Sequence, residues 1–262
     1  MLPTETLHVT NGNMRLPIVM VVVLSGCFPE TASRMVAGAR VVTLQYEFTN
    51  VHALVGPDGQ VVLVDSGYER NTTALERGLK ESGLDPRKVV AVVLTHGHPD
   101  HAGGAKYFQE QGALIIAGSG DAQMLVGGRN DVALCPTNGD ARSRVAADQA
   151  EKHSGVTADV LVSERLSLLA RLGVDAEVVP VAGHTPGSLV VKSGQSLFVG
   201  DLLRGSVFGS DAEVHFYMCD LEDNAQDVRG LLAEWPEAST WFVGHFGPLT
   251  RASVEAKFAR GK

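Results

Sequence analysis

Thr95-His96-Gly97-His98-Pro99-Asp100-His101-Ala102-Gly103-Gly104 follows directly on the apolar run Val89-Val90-Ala91-Val92-Val93-Leu94. The run reads as a buried parallel strand, which puts the polar stretch where a strand ends and a helix begins. Three imidazoles and a carboxylate so close together are ligand types for zinc, copper, iron or nickel. Gly97 permits a tight turn that lets His96 and His98 converge on one ion. Pro99 stiffens the next step, and Asp100 is placed to open a helix through Lys106-Tyr107-Phe108. Asp100 and His101 would then face a second ion beside the first.

The same arrangement recurs along the chain. Val61-Val62-Leu63-Val64 is a buried strand that ends at Asp65-Ser66-Gly67. The β-rich run Glu177–Val181 leads to Gly183-His184-Thr185-Pro186-Gly187-Ser188. Ser196–Val199 ends at Gly200-Asp201, and Thr240–Val243 at Gly244-His245. Singly, a strand-end His or Asp is most often a structural hydrogen-bonder. Together they set ligand types at the ends of successive strands, where function collects in layered α/β folds. Helical periodicity at 71–82, 121–126, 224–233 and 253–259 completes an alternating α/β (α+β) pattern.

This ordered series resembles the motifs of the metallo-β-lactamase superfamily from about Val41 to the C-terminus. The resemblance implies a four-layer αββα sandwich with a binuclear metal site along one edge. Carried over position by position, it makes His96, His98 and His184 ligands of a first metal and Asp100, His101 and His245 ligands of a second. Asp201 would bridge them. Asp65 would hydrogen-bond a ligand histidine and fix its tautomer, or else serve as a turn or N-cap residue. Two zinc ions suit this mixture of nitrogen and oxygen donors, with iron or manganese as alternatives. Two such ions, about 3.5–4 Å apart, activate a water and polarise a substrate oxygen. The implied reaction is hydrolysis of an ester, lactone, thioester or amide, with Asp100 as a proton relay to the leaving group.

Departures from particular subfamilies narrow this only in part. Class B β-lactamases lack the bridging aspartate present here as Asp201. Acyl-homoserine lactonases place a tyrosine where Arg204 stands. Seventeen residues follow His245, too few for the C-terminal helical domain of glyoxalase II enzymes. Two rival classes stay open: a persulfide dioxygenase-like oxidoreductase with one iron on His96, His184 and Asp201, and a non-catalytic envelope protein that holds metal structurally. The segment after Asp201 is expected to line the substrate pocket through Arg204, which suits a substrate carboxylate, and through His215 and Tyr217. Phe216 is expected to pack against the sheet instead.

Composition bounds the partners. The 262 residues are 44% hydrophobic with a net charge of −8, enough for one sizeable core and unsuited to phosphate backbones. A small-molecule substrate is expected, and no nucleic acid. Arg15, the apolar run Leu16–Leu24 and Ser25-Gly26-Cys27 have the form of a secretory signal. Leu24-Ser25-Gly26-Cys27 resembles a bacterial lipobox, with Cys27 as the acylated residue and Met14 as a candidate start. Residues 1–26 are thus read as a signal, 27–39 as a tether and 40–262 as the catalytic domain. The protein would then sit in a bacterial cell envelope, touching membrane only through a lipid anchor; the alternative is cytoplasmic. Cys135 and Cys219 are expected as unpaired, partly buried thiols, and His153 as a solvated histidine. The irregular stretch 127–157 is read as a pocket wall or a surface excursion, with a helix near 144–152.

Overall fold

The computed structural model describes residues 30–36, 39–130 and 132–259. Its first sheet has seven strands in chain order: β1 (Glu30–Val36), β2 (Ala39–Tyr46), β3 (Thr49–Val55), β4 (Val61–Val64), β5 (Val89–Val93), β6 (Leu114–Gly118) and β7 (Val160–Val162). The first four pair antiparallel through hairpins, and β4 to β7 run parallel. Parallel neighbours need crossovers, which here carry helices: α1 (Thr72–Glu81) between β4 and β5, then α2 (Pro99–Ala102) and α3 (Ala105–Glu110) between β5 and β6. The last crossover carries α4 (Ala122–Gly127) and α5 (Gly139–Ala150). The second sheet contains β8 (Leu166–Ser167), β9 (Glu177–Pro180), β10 (Leu189–Ser193), β11 (Ser196–Phe198), β14 (Thr240–Phe242) and β15 (Leu249–Thr250). Short α6 (Leu169–Leu172), the hairpin β12 (Arg204–Gly205) with β13 (Ala212–Glu213), α7 (Leu221–Glu234) and α8 (Arg251–Phe258) complete the chain.

Side-chain alternation builds four layers. Along β4, Val61 and Leu63 pack with Leu75 and Leu79 of α1 and Phe108 of α3. Val62 and Val64 point the other way, into a core shared with Val178, Val191, Phe198 and Phe242 of the second sheet. The far face of that sheet, including Val190, Leu197 and Trp241, is covered by Val228 and Leu231 of α7 and Val254 of α8. Strands buried on both faces explain the uninterrupted apolar runs in the sequence. This is the expected αββα sandwich.

Several expectations need correction. Glu30–Val36 is a strand paired with β2, so residues 30–36 of the stretch read as a tether join the sheet. The signal-like segment, Met14 and Cys27 lie outside the described residues. Cys135 and Cys219 form a disulfide, with Cα atoms 4.9 Å apart. They are 84 residues apart in sequence, a separation no local pattern reports. His153 is buried, its Nδ1 against the Ser154 carbonyl at 2.8 Å. The helix expected to start at Asp100 begins at Pro99 and breaks after Ala102. Gly103 and Gly104 stand at the break because the loop after β4 crowds them: a Cβ on Gly104 would meet the Ser66 carbonyl at 2.6 Å.

His52 of β3 is buried against the stacked pair Phe198 and Phe242. Its Nδ1 lies 2.9 Å from Thr43 Oγ1, and burial pushes its pKa down to about 4. The unfolded chain therefore takes up this proton first, near pH 6.5, and stability rises with pH between about 4 and 6.5. Metal-stripped protein should lose on the order of 3 kcal/mol from His52 alone as pH falls through that window. Denaturant titrations at pH 7, 5.5 and 4.5 test this, and His52→Gln should flatten the slope.

Candidate metal centre

Segments that follow strand ends at one edge of the sandwich deliver the polar residues there. The loop after β5 brings His96 and His98, and α2 carries Asp100 and His101. The β9–β10 loop brings His184, the turn after β11 Asp201, and the turn after β14 His245. Their donor atoms form two groups, each with all atoms within 4.8 Å of one another: His96, His98 and His184, and Asp100, His101, Asp201 and His245. All seven sequence-predicted ligands are thus brought together.

Asp201 lies at the centre. Its Oδ2 is 3.7 Å from His96 Nε2, 3.3 Å from His101 Nε2, 3.8 Å from His184 Nε2 and 3.3 Å from His245 Nε2. His98 Nδ1 and His184 Nε2 face each other at 3.2 Å. Asp100 Oδ2 is 3.4 Å from His101 Nε2 and 3.3 Å from His245 Nε2.

Buried hydrogen bonds set the tautomers. Asp65 Oδ2 accepts from His101 Nδ1 at 2.9 Å and from Thr95 Oγ1 at 2.8 Å. With its proton committed to Asp65, the Thr95 hydroxyl accepts from His96 Nδ1 at 3.0 Å. His245 Nδ1 donates to the Phe48 carbonyl at 2.9 Å. Each bond leaves an Nε2 lone pair aimed into the cluster. Asp65 thus orients one histidine in each group. It does so at a φ of +65°, a strained position for a side-chain-bearing residue that the surrounding bonds hold in place. Asp65→Asn should weaken metal binding by about 10–100-fold, read by chelator competition.

Asp121 escaped the sequence reading. Buried at the start of α4, it accepts from Gly97 N at 2.8 Å, Thr185 Oγ1 at 2.7 Å and Gly187 N at 2.8 Å. It locks the His96–His98 loop to the His184 loop. Its local sequence signals only a helix start, so nothing in the chain order could have found it.

The charge balance suits cations. Burial, reinforced by neighbouring imidazoles, holds His96 and His184 well below the usual histidine range and brings His98 down to about 4. These three offer neutral lone pairs. Burial opposes ionisation of Asp100 and Asp201, yet the surrounding imidazoles, His101 foremost, hold both carboxyls well below the usual carboxylate range. Against burial, the same carboxylates raise His101 well above its ordinary value and His245 to about 10. That surplus of carboxylate charge is what a divalent ion would neutralise. The Nε2 atoms of His96 and His101 and the Oδ1 of Asp201 are buried without hydrogen-bond partners among the described residues. Orphaned donors and acceptors at this density fit metal coordination and fit little else.

The cluster opens into a cleft of about 310 Å³. Asp100, His98, His215, Phe216 and Tyr217 line it, so His215 and Tyr217 stand where the sequence placed them. Phe216 lies in the cleft rather than against the sheet. Arg204 does not line it: its guanidinium stacks 4.2 Å from the Phe216 ring centroid and donates to the Gly205 carbonyl at 2.8 Å. Chain proximity to Asp201 suggested a substrate contact, but the β12 backbone turns the side chain behind Phe216. The guanidinium in the cleft is Arg144 of α5, in the stretch 127–157, which forms a pocket wall together with Asp140 and Asp148.

A family model described as the metallo-beta-lactamase superfamily matches residues 46–247. A hydroxyacylglutathione hydrolase from Xanthomonas axonopodis pv. citri is 30% identical over 58% of this chain and 46% of its own length. The enzyme of that name from Edwardsiella ictaluri is 26% identical over 80% of this chain and 70% of its own. The chain spans about half the length of the first curated relatives it matches. Among solved structures, a metallo-beta-lactamase family protein from Thermus thermophilus superposes with a TM-score of 0.58 at 23% identity, covering 86% of this chain and 79% of that one. A Cronobacter sakazakii metallo-beta-lactamase gives 0.57 at 20%, covering 78% and 74%.

Proposed function

The chain belongs to the metallo-beta-lactamase superfamily, and from that premise we propose that it is a binuclear, zinc-dependent hydrolase of small-molecule esters, lactones or thioesters. The observation that carries the reading is the convergence of seven donors into two adjoining groups that share Asp201. Two divalent ions bound there would supply Lewis acidity and a water acidic enough to ionise near neutral pH. The residues do the rest. His96, His98 and His184 would hold one ion, Asp100, His101 and His245 the other, and Asp201 both. Asp65 fixes the imidazoles. Asp100 reaches the cleft and stands where a proton could be carried to the leaving group.

The cleft also bears on the substrate. Among the described residues Glu47, Asp140, Asp148 and Glu151 line it together with Arg144, and Arg70 pairs with Glu47 and Glu151 from outside the lining, so four carboxylates face two guanidiniums. Phe48, two-thirds exposed, and Val207 form an apolar rim, and Phe208 beside them is 92% exposed. Like charges at the mouth disfavour polyanions. Neutral acyl or aryl esters and lactones are therefore proposed over glutathione thioesters, despite the relatives' name. The Cys135–Cys219 disulfide suits an oxidising compartment and favours the exported setting.

The test is elemental analysis of purified protein followed by kcat/KM on matched neutral and anionic thioesters and esters. Two zinc ions per chain, with neutral substrates preferred by about tenfold or more, a difference of about 1.4 kcal/mol, is the expected result. One iron per chain with oxygen uptake on persulfides would overturn it, and so would full metal loading without turnover on any panel member.

A further inference from the structure

His215 stands closer to the cluster than a pocket wall requires. It is 3% exposed. Nε2 is 3.0 Å from Asp201 Oδ2, nearer than any of the four other imidazoles around that oxygen, yet it makes no hydrogen bond there and is an orphaned buried atom. The ring is edge-on to His184, with centroids 4.9 Å apart, and stacks on His245 at 5.3 Å. It therefore spans one member of each donor group. His184, Asp201 and His215 themselves form a third group with donor atoms all within 4.8 Å of one another.

We propose that His215 is an eighth ligand of the metal centre, completing the shell of the ion held by His184 and Asp201 from the cleft side. This inference rests on the binuclear reading above. The backbone of Tyr217 faces the ring's Nδ1 with both a carbonyl and an N–H, and the carbonyl supports the form a ligand needs. Nδ1 lies 3.1 Å from the Tyr217 carbonyl, so donation of its proton there leaves the Nε2 lone pair for an ion. Tyr217 N stands 3.2 Å from the same nitrogen; were it the donor, Nε2 would carry the proton and bind no metal, and ¹⁵N shifts separate the two tautomers. The segment around the ring is held by the opposite wall: Thr137 Oγ1 donates to the His215 carbonyl at 2.7 Å, and Thr137 N to the Phe216 carbonyl at 2.9 Å. The Cys135–Cys219 disulfide closes the same pair of segments. A ring held this firmly over two donor groups has the pre-positioning expected of a ligand. A surface histidine that merely lines a cleft would keep its Nε2 in water.

Two readouts independent of turnover test this. In the full protein with ¹⁵N-labelled histidine, titration with Zn²⁺ should move the His215 Nε2 resonance, assigned by its loss in His215→Gln, into the metal-bound range together with those of the other ligands. In parallel, His215→Ala loaded with Co²⁺ should show an altered d–d spectrum and release metal to a chelator about 10–100-fold faster than wild type, the range for disturbed metal shells. An unshifted His215 resonance in a zinc-loaded protein, or wild-type release and spectrum in the variant, would overturn the assignment. Should His215→Ala fail to fold, the wild-type NMR titration decides alone. Failure of the wild-type protein to bind two ions would instead overturn the binuclear reading itself.

Discussion

Asp201→Ala is expected to abolish hydrolysis and to strip the protein of at least one metal ion. Five imidazoles surround Asp201 Oδ2, those of His96, His101, His184, His215 and His245, at 3.0 to 3.8 Å. Among the described residues no other carboxylate pairs directly with imidazoles of both donor groups: of these imidazoles Asp100 pairs with His101 and His245, and Asp65 with His101. Removing one partner from a buried charged network costs about 3–5 kcal/mol, because what remains is desolvated and uncompensated. If that loss falls on the reacting complex, kcat/KM drops by roughly 10²–10⁴ at about 1.36 kcal/mol per decade. Asp201→Asn separates charge from size: it keeps the volume and loses the anion, so it should fall nearly as far. The measurement is metal content by elemental analysis beside kcat/KM, on variants whose circular dichroism matches wild type. A folded Asp201→Ala protein with two ions and turnover within about tenfold of wild type would sink the bridging role.

The contrast between what was legible in the chain and what was not follows from distance along it. His96, His98, Asp100 and His101 announced themselves because their chemistry is dense and sits directly after an apolar strand. His184, Asp201 and His245 were weak singly and became readable as a repeated strand-end pattern. Asp65 was readable by the same rule. Asp121 was not, because its three partners belong to two loops that meet only in the folded chain, 24 to 66 residues away. Arg204 misled for the opposite reason. It is three positions from Asp201, but the backbone at β12 carries its side chain to the back of Phe216. The break between α2 and α3 is set by carbonyls of the β4 loop pressing on Gly103 and Gly104, again a contact with no local trace. His215 was readable as a pocket residue only; its approach to Asp201 depends on a wall supplied from residues 130–152.

That wall makes the second large prediction one about stability. The disulfide joins the segment before α5 to the segment before α7 across 84 residues. Closing a loop of that length removes enough entropy from the unfolded chain to stabilise the fold by about 4–5 kcal/mol in the chain-entropy model. Cys135→Ser with Cys219→Ser should therefore lower Tm by roughly 10–15 °C, at about 2–4 °C per kcal/mol for a domain of this size. The native wall has other ties that survive the change. Met218 N donates to the Cys135 carbonyl at 2.9 Å, Thr137 N to the Phe216 carbonyl, and the Tyr217 hydroxyl to Asp148. Because these keep the two segments joined once folded, metal content and turnover at 25 °C should stay within about threefold of wild type, a change of under about 1 kcal/mol. Reductant should reproduce the drop in Tm in the wild type and leave the double variant unmoved. A Tm loss under about 3 °C would sink the chain-entropy account of this bridge, and a thiol titration of the unfolded protein would show whether the bond forms in solution. A normal drop in Tm accompanied by loss of metal would mean that the covalent tie, rather than the hydrogen bonds beside it, holds His215 against Asp201.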